Sequence, residues 1–146
     1  MRNSFVLVGF LAVMGCARAP EPAVSPPEPF KVVATVKQVM RGITIPASDA
    51  IWKVSGEAPK ADEAWLVVES AGYALAESGN LLLMKGRVRE GEEWTKFSQQ
   101  LVDVGVQAAE AVHAKDMDKI MAAGDAMYAV CENCHMKYMP QPQPPQ

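Results

Sequence analysis

Proline is the residue type that most limits what this chain can fold into. Its ring fixes φ and removes a backbone donor, so it ends helices and is kept out of central strands. Of the 11 prolines, Pro20, Pro22, Pro26, Pro27 and Pro29 lie near the start, and Pro140, Pro142, Pro144 and Pro145 close the chain. Only Pro46 and Pro59 fall between them. The middle is therefore free to be helical, and both flanks read as extended and irregular. At 146 residues the chain is long enough for one domain. Apolar residues at 49% exclude a wholly disordered chain, and few β-branched or aromatic runs argue against an all-β fold.

Apolar positions in the middle repeat with helical period. A first helix is expected from Pro29 or Phe30 to Ile43, with Val33, Val36, Met40 and Ile43 on one face. Pro46 should break it, with Ser48 and Asp49 capping a short turn through Trp52. A second runs from Ala61 to Met84 with Trp65, Val68, Leu75 and Leu82 inward, and Gly86 stops it. A third runs from Glu92 to His113, carrying Trp94, Phe97, Leu101, Val104, Ala108 and Val112. The last spans Met117 to Tyr138 behind an Asp116 N-cap, with Ile120, Met121, Gly124, Met127 and Tyr128 on its apolar face. Short connections predict antiparallel neighbours, hence an all-α, up-down-up-down four-helix bundle over residues 30–139.

The last predicted helix contains Cys131-Glu132-Asn133-Cys134-His135. CxxCH is the attachment signature of c-type haem. Both thiols add to haem vinyl groups, and the histidine ligates the iron. On a helix, positions 131, 134 and 135 share one face, so all three meet the same macrocycle. The spacing predicts one covalent haem c, held by Cys131 and Cys134, with His135 as iron ligand. Two alternatives fit less well. A thioredoxin-like CxxC wants a helix N-terminus to stabilise its thiolate, and this one lies near a helix end. A zinc site needs four ligands, and His113 is the only other histidine.

The N-terminus carries Arg2 and then an apolar run, Phe5 to Met14, broken only by Gly9. That length suits a signal peptide and is too short to span a bilayer. The run ends in Val13-Met14-Gly15-Cys16, which resembles a bacterial lipoprotein signal. The resemblance implies cleavage of residues 1–15 and lipidation of Cys16. With Ala17 next, it favours the periplasmic leaflet of the outer membrane. The competing reading is a plain secretory signal cut near Ala17 to Ala19. Residues 16–29 read as a lipidated cysteine and Pro-rich tether reaching up to about 40 Å. Residues 140–146 read as a disordered tail. The formal net charge of −3 gives no basic face for nucleic acid.

A CxxCH near the C-terminus, on the last of four helices, resembles the class II cytochromes c, meaning the cytochrome c-prime group and its low-spin relatives. The resemblance covers Phe30 to Met139. The family's aromatic three residues past the histidine is matched by Tyr138; where the family has arginine next, Met139 stands, with Lys137 as a partial substitute. The family divides by what faces the other side of the iron. An apolar side chain leaves a five-coordinate iron that binds gases, and a methionine from the first helix gives a low-spin electron carrier. Met40 is the methionine of the first helix here, and is expected as the sixth ligand opposite His135.

Met40 has a bland reading as core filler, and Met84, ending the second helix, is its main competitor. His113 reads as a solvent-facing histidine at a helix C-terminus, the minority reading being a bis-His site. Arg41 reads as a solvated charge or a propionate partner. The expected function is a membrane-tethered periplasmic monohaem cytochrome that carries electrons and is not an enzyme. Its partners would be periplasmic or membrane redox proteins, and the family often forms homodimers. The alternative is a five-coordinate protein that binds NO or CO. A peroxidase is discounted, for no distal acid–base residue is evident.

Overall fold

The structure, a computed structural model, describes residues 30–139. Among these residues there are four helices packed together and no strand. Helix α1 covers residues 36–56. Its parts are an α-helical turn Val36–Val39, a π-helical segment Met40–Thr44 and an α-helix Ile45–Gly56. Helices α2, α3 and α4 are Asp62–Leu82, Glu92–His113 and Met117–Tyr138. Helix α1 packs on α2 and α4, and α3 packs on α2 and α4. Residues 1–29 and 140–146, with Cys16 and the expected signal peptide, tether and tail, lie outside the described residues. Among the described residues no helix is long and apolar enough to cross a membrane.

The expected start and stop of α1 both need correction. The helix begins at Val36, behind a capping box. Gln38 N–H donates to Thr35 Oγ1 at 3.3 Å, and Thr35 N–H donates back to Gln38 Oε1 at 2.9 Å. Each satisfies a donor that the helix end would otherwise leave open. Val33 consequently lies before the helix and is 80% exposed. Pro46 does not end α1. It stands within the first two residues of the segment Ile45–Gly56, directly after the π-helical turn. A proline in an α-helix clashes with the carbonyl four residues back. The wider π turn alters the hydrogen-bond register at that point, and the helix passes through.

The other helices follow their apolar period closely. Val68, Leu75 and Leu82 of α2, Trp94, Leu101, Val104, Ala108 and Val112 of α3, and Ile120 and Met127 of α4 are all buried. Asp116 caps α4 by accepting from Lys119 N–H at 3.1 Å. Met121 and Tyr128 depart from the expected pattern and are more than half exposed.

Helices α2 and α3 approach through small residues. A Cβ added at Gly72 would stand 2.7 Å from Ala109 N, and one at Gly105 only 2.5 Å from Ala76 N. One at Gly79 would meet Ser98 O at 2.6 Å. Backbone lies against backbone along this seam, so nothing larger than hydrogen fits at these positions.

Candidate functional site

A cleft of about 460 Å³ opens between α1, α3 and the last turns of α4. Helix α1 lines it with Met40, Thr44, Ile45, Ser48, Asp49 and Trp52, and α3 with Phe97, Ser98 and Leu101. Leu82 closes one wall, and α4 contributes Tyr128, Val130, Cys131, Glu132, Cys134, His135 and Met136, with Met139 just beyond. The size is that of a small-molecule or cofactor site. The lining is mostly apolar. Ile45, Tyr128, Met136 and Met139 leave about half or more of their surface exposed around it.

The cleft brings together the four side chains that sequence reasoning singled out in the described region. Met40 comes from the π-helical segment of α1, and Cys131, Cys134 and His135 from the last turns of α4. All four are partly buried. Helix α1 touches α4 where Trp52 Nε1 donates to Gly124 O at 3.2 Å. Met40 and His135 each lie roughly three turns from that contact along their own helices.

Both cysteines are free thiols. Burial pushes each above its ordinary value, and Cys134 is raised further by Cys131 beside it. They are therefore neutral at physiological pH. A redox-active CxxC depends on the opposite, a thiolate stabilised at a helix N-terminus. Among the described residues no three His, Cys, Asp or Glu stand close enough together to hold a metal ion.

The competitors of Met40 and His135 are engaged elsewhere. Met84 Sδ accepts from Arg87 Nη1 at 3.0 Å and does not line the cleft. His113 is exposed and lies 3.3 Å from the Glu69 carboxylate, outside the cleft. Arg41 is exposed and does not line the cleft either.

The end of α4 is pinned to the start of α3. The Tyr138 ring packs edge-on against Trp94 at 5.1 Å, and its hydroxyl donates to Glu90 O at 3.2 Å. The Lys137 ammonium bonds the Glu93 carboxylate, holding that carboxyl below the usual range and raising Lys137. Lys137 is thus paired with Glu93 and does not line the cleft.

Two residues escaped sequence reasoning. Arg87 is buried, and its guanidinium donates to Ala34 O and Leu81 O, both at 2.8 Å, tying the segment before α1 to the end of α2. Nothing in its local sequence marks it apart from its neighbour Arg89. Thr44 is buried in the cleft wall, and its Oγ1 has no hydrogen-bond partner among the described residues. Its place four residues after Met40 was the available clue.

Comparison of the chain with protein-family models, with curated proteins and with solved structures finds no match.

Proposed function

We propose that this chain is a monohaem c-type cytochrome that carries electrons in the periplasm, tethered to a membrane. The observation that carries the proposal is the convergence on one apolar cleft of both CxxCH thiols, the His135 imidazole and the Met40 thioether. The residues fit the group. The thiols are free and neutral. The exposed apolar rim is the kind of surface that a flat macrocycle would cover. Cys131 and Cys134 would hold the ring to α4 through thioether bonds, and His135 and Met40 of α1 would ligate its iron. Bound there, haem supplies one-electron chemistry at its iron, and a methionine ligand raises its potential. Phe97, Leu101 and Trp52 line the cleft and would keep water from the group. With His135 and Met40 both holding the iron, no position would be left for a substrate, and the role would be carriage and not catalysis.

In this reading the helices form an antiparallel up-down-up-down bundle. Support comes from the α2–α3 seam, where Gly72, Ala76 and Gly79 meet Ala109, Gly105 and Ser98, so that numbers rise on one helix as they fall on the other. The proposal takes Cys16 as the lipidated residue and the Pro-rich stretch after it as the tether. Holding the domain at a membrane raises its effective concentration near membrane redox partners.

The test is the visible spectrum of the haem-loaded protein, ferric and ferrous, beside Met40→Ala. Low-spin spectra with a sulfur-to-iron charge-transfer band, lost in the variant, are expected. A high-spin ferric spectrum in the unmutated protein, with prompt CO binding on reduction, overturns the proposal and makes NO or CO binding the function.

A further inference from the structure

We infer that the Thr44 hydroxyl is a hydrogen-bond donor to the Met40 sulfur in the haem-loaded protein, which makes Thr44 a positioning residue for the sixth iron ligand. The inference rests on the His/Met reading above. Thr44 is 4% exposed, lines the cleft, and leaves Oγ1 without a partner among the described residues. Buried hydroxyls without partners are rare in native proteins and ask for a reason.

The serines of the same helices show what is unusual. Ser48, Ser55, Ser70, Ser78 and Ser98 all bond back to a carbonyl three or four residues earlier, at 2.6–2.9 Å. That is the ordinary fate of a helical hydroxyl. Thr44, at the end of the π-helical segment, makes no such bond. The carbonyl four residues back is that of Met40, and Ile45 N–H takes it. One buried hydroxyl in the cleft wall is thus left without a partner among the described residues, one turn from the candidate ligand.

The charge around the cleft narrows what that hydroxyl can serve. Among the described residues no lysine or arginine lines it, whereas Asp49 and Glu132 do. An anionic acceptor would meet two carboxylates and no cation, so the acceptor is uncharged. A thioether sulfur is an uncharged acceptor, though a weak one. Met40 lines the same cleft, and side chains four apart on a helix are neighbours. Its three side-chain torsions let the sulfur settle where both an iron and a hydroxyl reach it.

The test compares the full haem-loaded chain with Thr44→Val and Thr44→Ser. The rate at which the ferrous protein captures CO reads how readily Met40 leaves. It is expected to rise about two- to tenfold in Thr44→Val, the worth of one net hydrogen bond, and to stay at the unmutated value in Thr44→Ser. The ferric charge-transfer band should shift in the valine variant alone. Thr44→Ala replaces the valine variant if that one loads haem poorly. A low-spin unmutated protein whose CO capture is unchanged in Thr44→Val, or changed equally in Thr44→Ser, overturns the inference and leaves the His/Met reading standing. A high-spin unmutated protein overturns both.

Discussion

The two sides of this molecule are built on opposite plans. Between α2 and α3, glycine and alanine bring backbones into contact and leave no room for a side chain at Gly72, Gly79 or Gly105. Between α1 and the end of α4, large residues ring a space of about 460 Å³. The first side gains stability by excluding everything, and interiors packed this way tolerate almost no added volume. The second gives up packing that four helices could have made and leaves Ile45, Tyr128 and Met136 partly uncovered. A chain that can pack as tightly as the α2–α3 seam has no steric reason to leave the other side open. The opening is therefore where function is to be sought.

The sharpest way to break this contrast is to add volume to the closed side. Gly105→Leu sets a branched side chain against the backbone of Ala76, where even a Cβ would stand at 2.5 Å. No rotamer avoids the clash, so the helices must part. We expect loss of the cooperative thermal transition by circular dichroism; a variant that melts within a few degrees of the unmutated protein would falsify the seam. The second largest effect is complete but confined to the open side. Cys131→Ala with Cys134→Ala should abolish covalent haem, read as loss of haem-stained protein on a denaturing gel, since no third cysteine is present among the described residues. Retained covalent haem sinks the attachment assignment.

Truncations measure the same contrast more finely. Leu75 is fully buried, and Leu75→Ala should cost about 2–5 kcal/mol in a urea titration. Tyr128 has 58% of its surface exposed, and Tyr128→Ala should fall within about 0.5 kcal/mol when the haem is absent. Equal costs at the two positions would mean that the cleft side is packed like the seam.

The closed side was readable in advance because burial leaves a period in the sequence. Val68 and Leu75 on α2, and Val104, Ala108 and Val112 on α3, repeat as the buried face of a helix must, and the structure buries them all. The chemistry of the cleft was legible for a different reason. CxxCH fixes two thiols and an imidazole on one helix face by spacing alone, and the structure adds Met40 to the same cleft. What the sequence hid depends on backbone geometry or on distant partners. Pro46 reads as a stop unless the π-helical turn before it is known. Thr44 falls just past the expected end of the first helix, and only the structure shows its hydroxyl buried without a partner among the described residues. Arg87 reads as a surface charge, because its partner Ala34 lies far away in the sequence. The start of α1 is set by the capping box of Thr35 and Gln38 and not by the apolar residues before it.

The smallest effect concerns the pin that holds the end of α4, and with it His135, against α3. Lys137 bonds Glu93 and keeps its carboxyl below the usual range. A carboxyl depressed in the folded state gives stability that is fully present above its unfolded value, about pH 4.3 for glutamate. That stability fades as pH falls through the lower folded value. Both partners are well exposed, so salt screens the pair and its share is slight. The Tyr138 ring against Trp94 holds the same joint by packing that neither acid nor salt weakens. Glu93→Gln should therefore flatten a small part of the acid dependence of melting below about pH 4.3, while melting at neutral pH drops only slightly. Tyr138→Ala should lower melting at every pH by more. If Glu93→Gln proves the more damaging of the two at neutral pH, the ion pair and not the aromatic packing holds the helix end.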